Sequence, residues 1–487
     1  MEEIVVMYPA PGLSHIVPLV EFGKRLLNYH PSISITFLIP TLPFDYNTDT
    51  TSSYISSVSS SFPSITFFYL PIPSLPRHPT AYLNSEDLFF ELGRLNNPNV
   101  SAWFLSLPHC FRVSAFIIDF FCTSALDMAV SFNIPVYFFF ATGASTVALF
   151  LNFPVIDKIM TGKFRGAFDA EFSIEGLPLV PATALPEPML DRGHTYNEFI
   201  NVGLYLSRSQ GVIVNTFQEL EHRVVKALYE GACLPVGFTT PPVYCVGPLV
   251  SSLDYDGGTN TTTVHECLSW LDSKPKQSVV FVCFGSVALF QQDQLKEIAQ
   301  GLEKSMQRFL WVVRDPPPLN EPSKRFSKPP EPDLEKILHG GFLDRTKERG
   351  MVVKSWAPQK AILGHSSVGA FVTHCGWNSI LEAVSAGVPL VAWPLFAEQR
   401  FNKVVLVEEV KVAVAMEERE EGGKFVTAEE VEMRVREIME SDVGERMRKK
   451  MLVIKDQAKV AISEGGSSSL ALAKFVDSWD NNRGCNL

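Results

Sequence analysis

Short apolar runs alternate along the chain with longer stretches whose apolar residues recur at helical spacing. The run "EIVVMYPAPG" (3–12) precedes the amphipathic "IVPLVEFGKRLLNY" (16–29), and "SISITFLIP" (32–40) follows. "AFIIDFF" (115–121) precedes "TSALDMAVSF" (123–132), with "PVYFFF" (135–140) after it. Continuous apolar strands alternating with helices predict a parallel sheet covered on both faces. The rhythm restarts after Lys276, where "SVVFVCFGS" (278–286) is followed by "QQDQLKEIAQGLEKSM" (291–306), "RFLWVVR" (308–314), "GMVVKSW" (350–356), "VGAFVTHCG" (368–376), "NSILEAVSAG" (378–387) and "PLVAWP" (389–394). The predicted fold class is α/β, with two Rossmann-like doubly wound domains facing a cleft. A polar stretch rich in Gly, Ser and Thr, "GPLVSSLDYDGGTNTTTVHE" (247–266), reads as the linker between them. The boundaries expected are 1–247, a linker at 248–265, and 266–460, with 461–487 carrying a C-terminal helix that packs back on the first domain. "RDPPPLNEPSKRFSKPPEPD" (314–333) is too rich in proline for a helix or a central strand and is expected as an exposed loop.

Length agrees with two domains, since 487 residues exceed what one hydrophobic core usually organises. A formal net charge of −11 excludes a general phosphate-backbone binder, so no nucleic-acid partner is expected. The N-terminus "MEEIVVMY" enters a strand at once and carries acids where a secretory leader carries bases, which predicts a cytoplasmic protein. The most apolar segment, 134–155, is bracketed by Pro135 and Pro154 and broken by "ATGAS"; it reads as a buried strand and helix, not a membrane insertion. Eight cysteines without CxxC pairing fit reduced thiols, and no quartet at ligand spacing calls for a metal. Of 36 phenylalanines, 25 lie in residues 1–245. The clusters "FFY", "DFF" and "YFFF" fall at or near predicted strand ends, where open α/β sheets bind ligands, so an aromatic-lined pocket is expected in the first half.

The stretch "VTHCGWNSILEA" (372–383) passes from a β-branched run into the first turn of a helix. A helix start offers N–H groups without intrahelical partners and the positive end of the dipole, a ready anion site. Around it, Trp356 offers a flat face on which a base can stack. Gln359 can bond the edge of a base or a ribose. His374, Gly376, Asn378 and Ser379 surround the helix start and can hold a diphosphate without a basic P-loop. Glu382, four residues after Asn378, lies on the same helix face and can accept bonds from ribose hydroxyls. Taken singly, each of these is more often a core or surface residue; the site reading rests on their joint spacing.

The 44 residues "WAPQKAILGHSSVGAFVTHCGWNSILEAVSAGVPLVAWPLFAEQ" (356–399) resemble the signature box of plant family 1 UDP-sugar-dependent glycosyltransferases, which act on small secondary metabolites. "PGLSHIVP" (11–18), "FGS" (284–286) and "EGGSS" (464–468) extend the likeness over nearly the full chain. The resemblance implies a GT-B arrangement, with the acceptor in the first domain and the UDP-sugar in the second. It implies donor contacts from Ser286, Trp356, Ala357, Gln359, His374, Gly376, Trp377, Asn378, Ser379, Glu382, Glu398 and Gln399. Gln399 with Trp377 resembles the glucose-using pattern, so UDP-glucose is the expected co-substrate, with no cofactor and no metal. The same resemblance makes His15 a general base oriented by Asp119, in a single inverting displacement onto a hydroxyl of a small aromatic acceptor such as a flavonoid or chalcone. Where the family often writes GxGH, this chain has Gly12-Leu13-Ser14-His15; where it often has Thr-Ser near the sugar, Ala141-Thr142 stands, leaving Thr142 as the candidate sugar contact. A monomer is expected.

Alternatives follow from the same residues. A nucleotide-sugar-binding protein would keep the box without transfer, and a relative using UDP-galactose, UDP-xylose, UDP-rhamnose or a terpenoid acceptor would differ only around the sugar or in the acceptor loops. Asp254-Tyr255-Asp256 matches the DxD pattern of metal-dependent transferases but lies in the linker. "GHSSVG" (364–369) approaches the hydrolase elbow G-x-S-x-G, with Val368 where a second glycine is needed. No G-x-G-x-x-G occurs, which argues against a dinucleotide oxidoreductase.

Overall fold

The computed structural model describes residues 2–42, 48–77, 82, 85–160, 162, 164–167, 170–251, 265–285, 290–315, 331–338, 340–419 and 425–481. The chain divides into two compact units, the first formed by Met1–Ser252 with Ala458–Leu487 and the second by Leu253–Gln457.

The first unit holds strands β1 (Glu2–Tyr8), β2 (Ser34–Ile39), β3 (Ile65–Tyr69), β4 (Phe111–Asp119), β5 (Val136–Phe140), β6 (Glu171–Phe172), β7 (Val180–Pro181), β8 (Gly211–Val214) and β9 (Val243–Cys245). Seven of them form one sheet in the order β3-β2-β1-β4-β5-β8-β9, and every pairing in it is parallel. Parallel neighbours need helical crossovers, and helices covering both faces explain why all five residues of β5, VYFFF, are buried. The apolar segment that begins at Ile134 divides into β5 and the helix Ala144–Ile159. Among the described residues no helix is long and apolar enough to cross a membrane.

The last helix, Ser467–Asn481, belongs to this unit although it closes the chain. Its Phe475 is fully buried against Tyr137 (ring centroids 4.9 Å), Tyr244 (5.5 Å) and Phe22 (5.8 Å). Ser478 Oγ lies 2.9 Å from the Tyr137 hydroxyl, and Ser468 donates to the Gly247 carbonyl. Aromatic area supplies the adhesion, and the hydroxyl bonds fix the helix in register.

The second unit repeats the plan with β10 (Val279–Cys283), β11 (Arg308–Val313), β12 (Gly350–Lys354), β13 (Val368–Thr373), β14 (Leu390–Ala392) and β15 (Ala413–Ala415), ordered β12-β11-β10-β13-β14-β15 and parallel throughout. On one face Phe284, Trp311, Trp393 and Phe342 are buried with the apolar side of helix Gln292–Lys304. In both units the order reverses beside the first strand, at β1/β4 and β10/β13, and such a reversal opens a crevice at the carboxyl ends of the strands. His15 and Asp119 stand at the first, and the junction after β13 stands at the second.

Candidate active site

In the first unit, β4 ends at Asp119 and the chain turns at once into a short 3-10 segment, Phe120–Cys122. The Asp119 carboxylate is 1% exposed and carries two bonds: Oδ1 accepts from the Phe121 N–H at 3.0 Å, and Oδ2 accepts from His15 Nδ1 at 2.8 Å. His15 reaches it from the first turn of helix Leu13–Tyr29, whose preceding residue Gly12 has φ 102, a conformation that favours glycine. With Ser14 in place of the second glycine of GxGH, the loop still delivers a histidine onto the β4 carboxylate. Donation from Nδ1 puts the lone pair of the neutral imidazole on Nε2, and the buried carboxylate stabilises the cation that forms when Nε2 takes a proton.

Around that imidazole stand phenylalanines, with Phe121 at 5.6 Å, Phe89 at 6.4 Å and edge-on, and Phe120 at 6.5 Å between ring centroids. Phe140, Phe150, Phe90 and Phe199 continue the cluster behind them. Of the three aromatic runs singled out in the sequence, "DFF" and "YFFF" contribute here; "FFY" lies on the edge strand β3, where Phe67 stacks on Phe37. Phe89, Phe90 and Phe199 come from helices Ser85–Ser106 and His194–Leu206, and nothing in their local sequence marks them. Thr142 is buried, with its hydroxyl 3.1 Å from that of Thr146. It precedes helix Ala144–Ile159, whose first N–H groups are taken by the buried carboxylate of Glu221, at 2.8 Å from Ala144 N and 2.9 Å from Ser145 N.

In the second unit, β13 hands over at His374 to helix Trp377–Ala386. Its N-cap is Gly376, which has no side chain to cap it, and its first turn carries no acid to offset the positive end of the helix dipole. His374 is 9% exposed, and its ring is wedged between two glycines. A Cβ on Gly285 would lie 2.7 Å from its Cε1, and one on Gly376 would lie 2.5 Å from its Nε2. Its Nδ1 is buried and finds no hydrogen-bond partner among the described residues. Burial lowers its pKa to about 4, so the imidazole is neutral at pH 7.

That depression fixes a pH dependence. The unfolded chain protonates this histidine near 6.5 while the folded one resists to about 4, so stability falls as pH drops through that window. At about 1.4 kcal/mol per pKa unit, the stability of the wild type minus that of His374→Asn is expected to fall by about 2 kcal/mol between pH 7.5 and pH 5. Urea unfolding of both proteins followed by tryptophan fluorescence reads this, and a difference that does not change with pH would refute the buried neutral imidazole.

Trp356, half-buried, follows β12 and meets the ring of His265 edge-on at 6.0 Å; His265 carried no signal in the sequence. Ala357 is buried beside it. Gln359 begins helix Gln359–Gly364, and its Nε2 donates to Ser379 Oγ at 3.0 Å and to Glu382 Oε2 at 2.7 Å. The structure thus joins three of the predicted residues in one network. Asn378 shares the first turn with the buried Trp377. Glu398 occupies the position just before helix Gln399–Val404, and Asn402 from that helix donates to the Cys375 carbonyl at 3.0 Å. Gln399 is 3% exposed, and its Oε1 accepts from the N–H groups of Leu395 (2.9 Å) and Phe396 (3.0 Å). Its oxygen is therefore committed to shaping the loop after β14, and the amide nitrogen is the end with hydrogens to offer.

Ser286 and Asp254–Asp256 lie outside the described residues. In the hydrolase-like segment, Ser366 sits in an exposed turn ahead of β13, not on a strand-to-helix turn. The adjacent Ser367, His365 and Asp272 do form a hydrogen-bonded series, with 2.8 Å from Ser367 Oγ to Nδ1 and 3.1 Å from Nε2 to Asp272 Oδ1. Ser367 is 0% exposed and the carboxylate 75%, the reverse of what a nucleophile and its orienter need. Among the described residues no three His, Cys, Asp or Glu side chains converge to hold a metal ion.

Comparison with known proteins bears on the family. Residues 243–472 match the family described as UDP-glucoronosyl and UDP-glucosyl transferase. An anthocyanidin 5,3-O-glucosyltransferase of a Rosa hybrid cultivar is 44% identical, over 98% of this chain and 99% of its own. A phloretin 2'-O-glucosyltransferase of Pyrus communis is 45% identical, over 98% and 100%. The structure of Phytolacca americana UGT2, complexed with UDP-2fluoro-glucose and pterostilbene, matches with a TM-score of 0.85 at 33% identity, over 98% of this chain and 100% of that one. With identity of this order over almost its whole length, the chain belongs to the plant family 1 UDP-glycosyltransferases and is a glycosyltransferase.

Proposed function

We propose that the protein is an inverting O-glucosyltransferase that moves glucose from UDP-glucose to a hydroxyl of a small aromatic metabolite of the flavonoid or chalcone type. The observation that carries the reaction is the His15–Asp119 pair, held at 2.8 Å at the end of β4 beside three phenylalanine rings. A phenol with pKa ~10 is not ionised at pH 7, so a positioned base is useful. His15 Nε2 takes the proton as the phenolic oxygen forms its bond to C1 of glucose. The bond from C1 to the phosphate oxygen breaks in the same step, and UDP leaves with the electron pair. One displacement inverts the configuration at C1.

UDP is held by the second unit. Trp356 stacks on the base, Gln359 and Glu382 take the ribose, and the N–H groups of the Trp377 helix with His374, Asn378 and Ser379 take the diphosphate. These donors stabilise the leaving group without a metal. Trp377, Glu398, Gln399 and Thr142 are assigned to the sugar, Ser286 to a phosphate. Aromatic acceptors are supported by the phenylalanines around His15 and by the relatives, which are named for anthocyanidins and phloretin, and by UGT2, which holds pterostilbene.

Incubation with UDP-glucose and a mixed phenolic panel, with products identified by mass and NMR, tests the reading; binding of UDP-glucose without transfer to any phenol would defeat it. Donor choice is tested at Gln399. Histidine cannot reproduce an oxygen that takes two loop N–H groups beside an amide that donates, so Gln399→His is expected to lower the ratio of kcat/KM for UDP-glucose over UDP-galactose about tenfold, the effect of one hydrogen bond of about 1.4 kcal/mol. An unchanged ratio would remove Gln399 as a sugar-reading residue.

A further inference from the structure

The His15 side chain is 17% exposed, and the rings that border it govern what can approach Nε2. Phe121 is buried, whereas Phe89 and Phe120 are partly exposed, so these two are the rings that an acceptor meets beside the base. Phe89 comes from helix Ser85–Ser106 and stands edge-on to the imidazole; Phe120 comes from the 3-10 segment after β4. Behind them the wall is phenyl again, with Phe121 at 5.3 Å from Phe89 and Phe140 stacked at 5.3 Å from Phe120. A phenyl ring offers apolar area and no hydrogen-bonding group.

The carboxylate beside the base is already engaged. Both Asp119 oxygens carry bonds, from the Phe121 N–H and from His15 Nδ1, and the side chain is 1% exposed. Ser14 precedes His15 in the same helix and stands about 100° round its axis, on the exposed side. An acceptor that brings its reacting oxygen within hydrogen-bond reach of Nε2 therefore sets the neighbouring positions of its own ring against Phe89 and Phe120. A hydrogen or a methoxy group at such a position meets a surface like itself. A second hydroxyl there loses water and gains no partner from the rings. Its other option is to donate to the reacting oxygen, which competes for the electron pair that must attack C1.

We propose that Phe89 and Phe120 make the site select against catechols: its acceptors are phenols whose reacting hydroxyl is flanked on the ring by hydrogen or methoxy, not by a second hydroxyl. This rests on the reading of His15 as the base that deprotonates the acceptor. Phe89 is the position at which to test it, because Phe120 adjoins Asp119 and the N–H that binds that carboxylate belongs to Phe121. Phe89→Leu keeps the wall apolar; Phe89→Asn places a hydrogen-bonding amide in it.

The test uses the full chain with UDP-glucose and three acceptors on one scaffold, 4-hydroxychalcone, 4-hydroxy-3-methoxychalcone and 3,4-dihydroxychalcone, with total glucoside measured by mass. In the wild type, kcat/KM for the dihydroxy compound is expected about tenfold below that for the 4-hydroxy compound, and kcat/KM for the methoxy compound within about threefold of it. Phe89→Asn is expected to bring the dihydroxy compound to within about threefold of the 4-hydroxy one, whereas Phe89→Leu keeps a gap of about fivefold or more. Ratios taken within one enzyme cancel a general loss of folded protein, which lowers all three rates alike. A wild-type gap under threefold, a methoxy compound that falls as far as the dihydroxy one, or equal gaps in the two variants would each overturn the proposal while transfer itself stands. Transfer to none of the three by a protein that binds UDP-glucose would defeat the functional reading, and this inference with it.

Discussion

His15→Ala is expected to lower kcat with a phenolic acceptor by about 10²–10⁴, the range typical of a positioned general base, while the dissociation constant for UDP stays within twofold. UDP affinity is spared because every residue assigned to the nucleotide belongs to the other compact unit. Asp119→Asn is expected to reproduce much of that loss by a different route. The carboxylate accepts two N–H groups, from Phe121 and from His15. An asparagine has one oxygen for the two. With its oxygen on Phe121 N–H, its amide hydrogens face His15 Nδ1, which must then accept, leaving the proton on Nε2 where the base is needed. Steady-state kinetics with titration of UDP by calorimetry reads both variants. A His15→Ala enzyme that keeps more than a tenth of the wild-type kcat would end the assignment of His15 as base.

The alternation of strands and helices was legible because parallel strands covered on both faces must be apolar at every position, which leaves a continuous run such as "VYFFF". The junction after β13 was legible for a related reason. A strand-to-helix turn and the residues packed around it come mostly from one stretch of chain, so Trp356, Gln359, His374, Ser379 and Glu382, the residues proposed for the donor, fall within 27 positions. What local spacing cannot carry is contact across long separations. His15 and Asp119 lie 104 residues apart, and their pairing was expected only from resemblance. The Glu221 carboxylate caps a helix that starts 77 residues before it. Phe89 belongs to a helix whose apolar positions look like any other core face. Helix Thr48–Ser61 was hidden for another reason, since "TDTTSSYISSVSSS" consists mostly of weak helix formers and is held by Tyr54, Ile55 and Val58 in the core. Gln399 shows a subtler limit: sequence points to the residue, but only the structure shows that its oxygen is engaged by Leu395 and Phe396, so that substitutions there act on the loop as well as on a sugar.

Gly376→Ala is expected to weaken UDP binding by about 30–150-fold, the equivalent of about 2–3 kcal/mol, in a protein that still folds. The backbone is not the obstacle, because Gly376 sits at φ −66 and ψ 135, where alanine is comfortable. The new methyl group would fall 2.5 Å from His374 Nε2 and 3.1 Å from Cε1, far inside van der Waals contact. On its other flank stands Gly285, where a Cβ would lie 2.7 Å from Cε1, so the ring is set close against glycine backbone on that side too. Either the ring leaves the junction or the helix start moves, and both misalign the N–H groups assigned to the diphosphate. Loss of one or two charge-assisted hydrogen bonds accounts for the magnitude. Gly364→Ala is the matched control, since a Cβ there meets nothing within 4 Å. Calorimetric titration of UDP into the two variants reads the difference. A Gly376→Ala protein that binds UDP within threefold of wild type would mean that the diphosphate is not held at the start of the Trp377 helix.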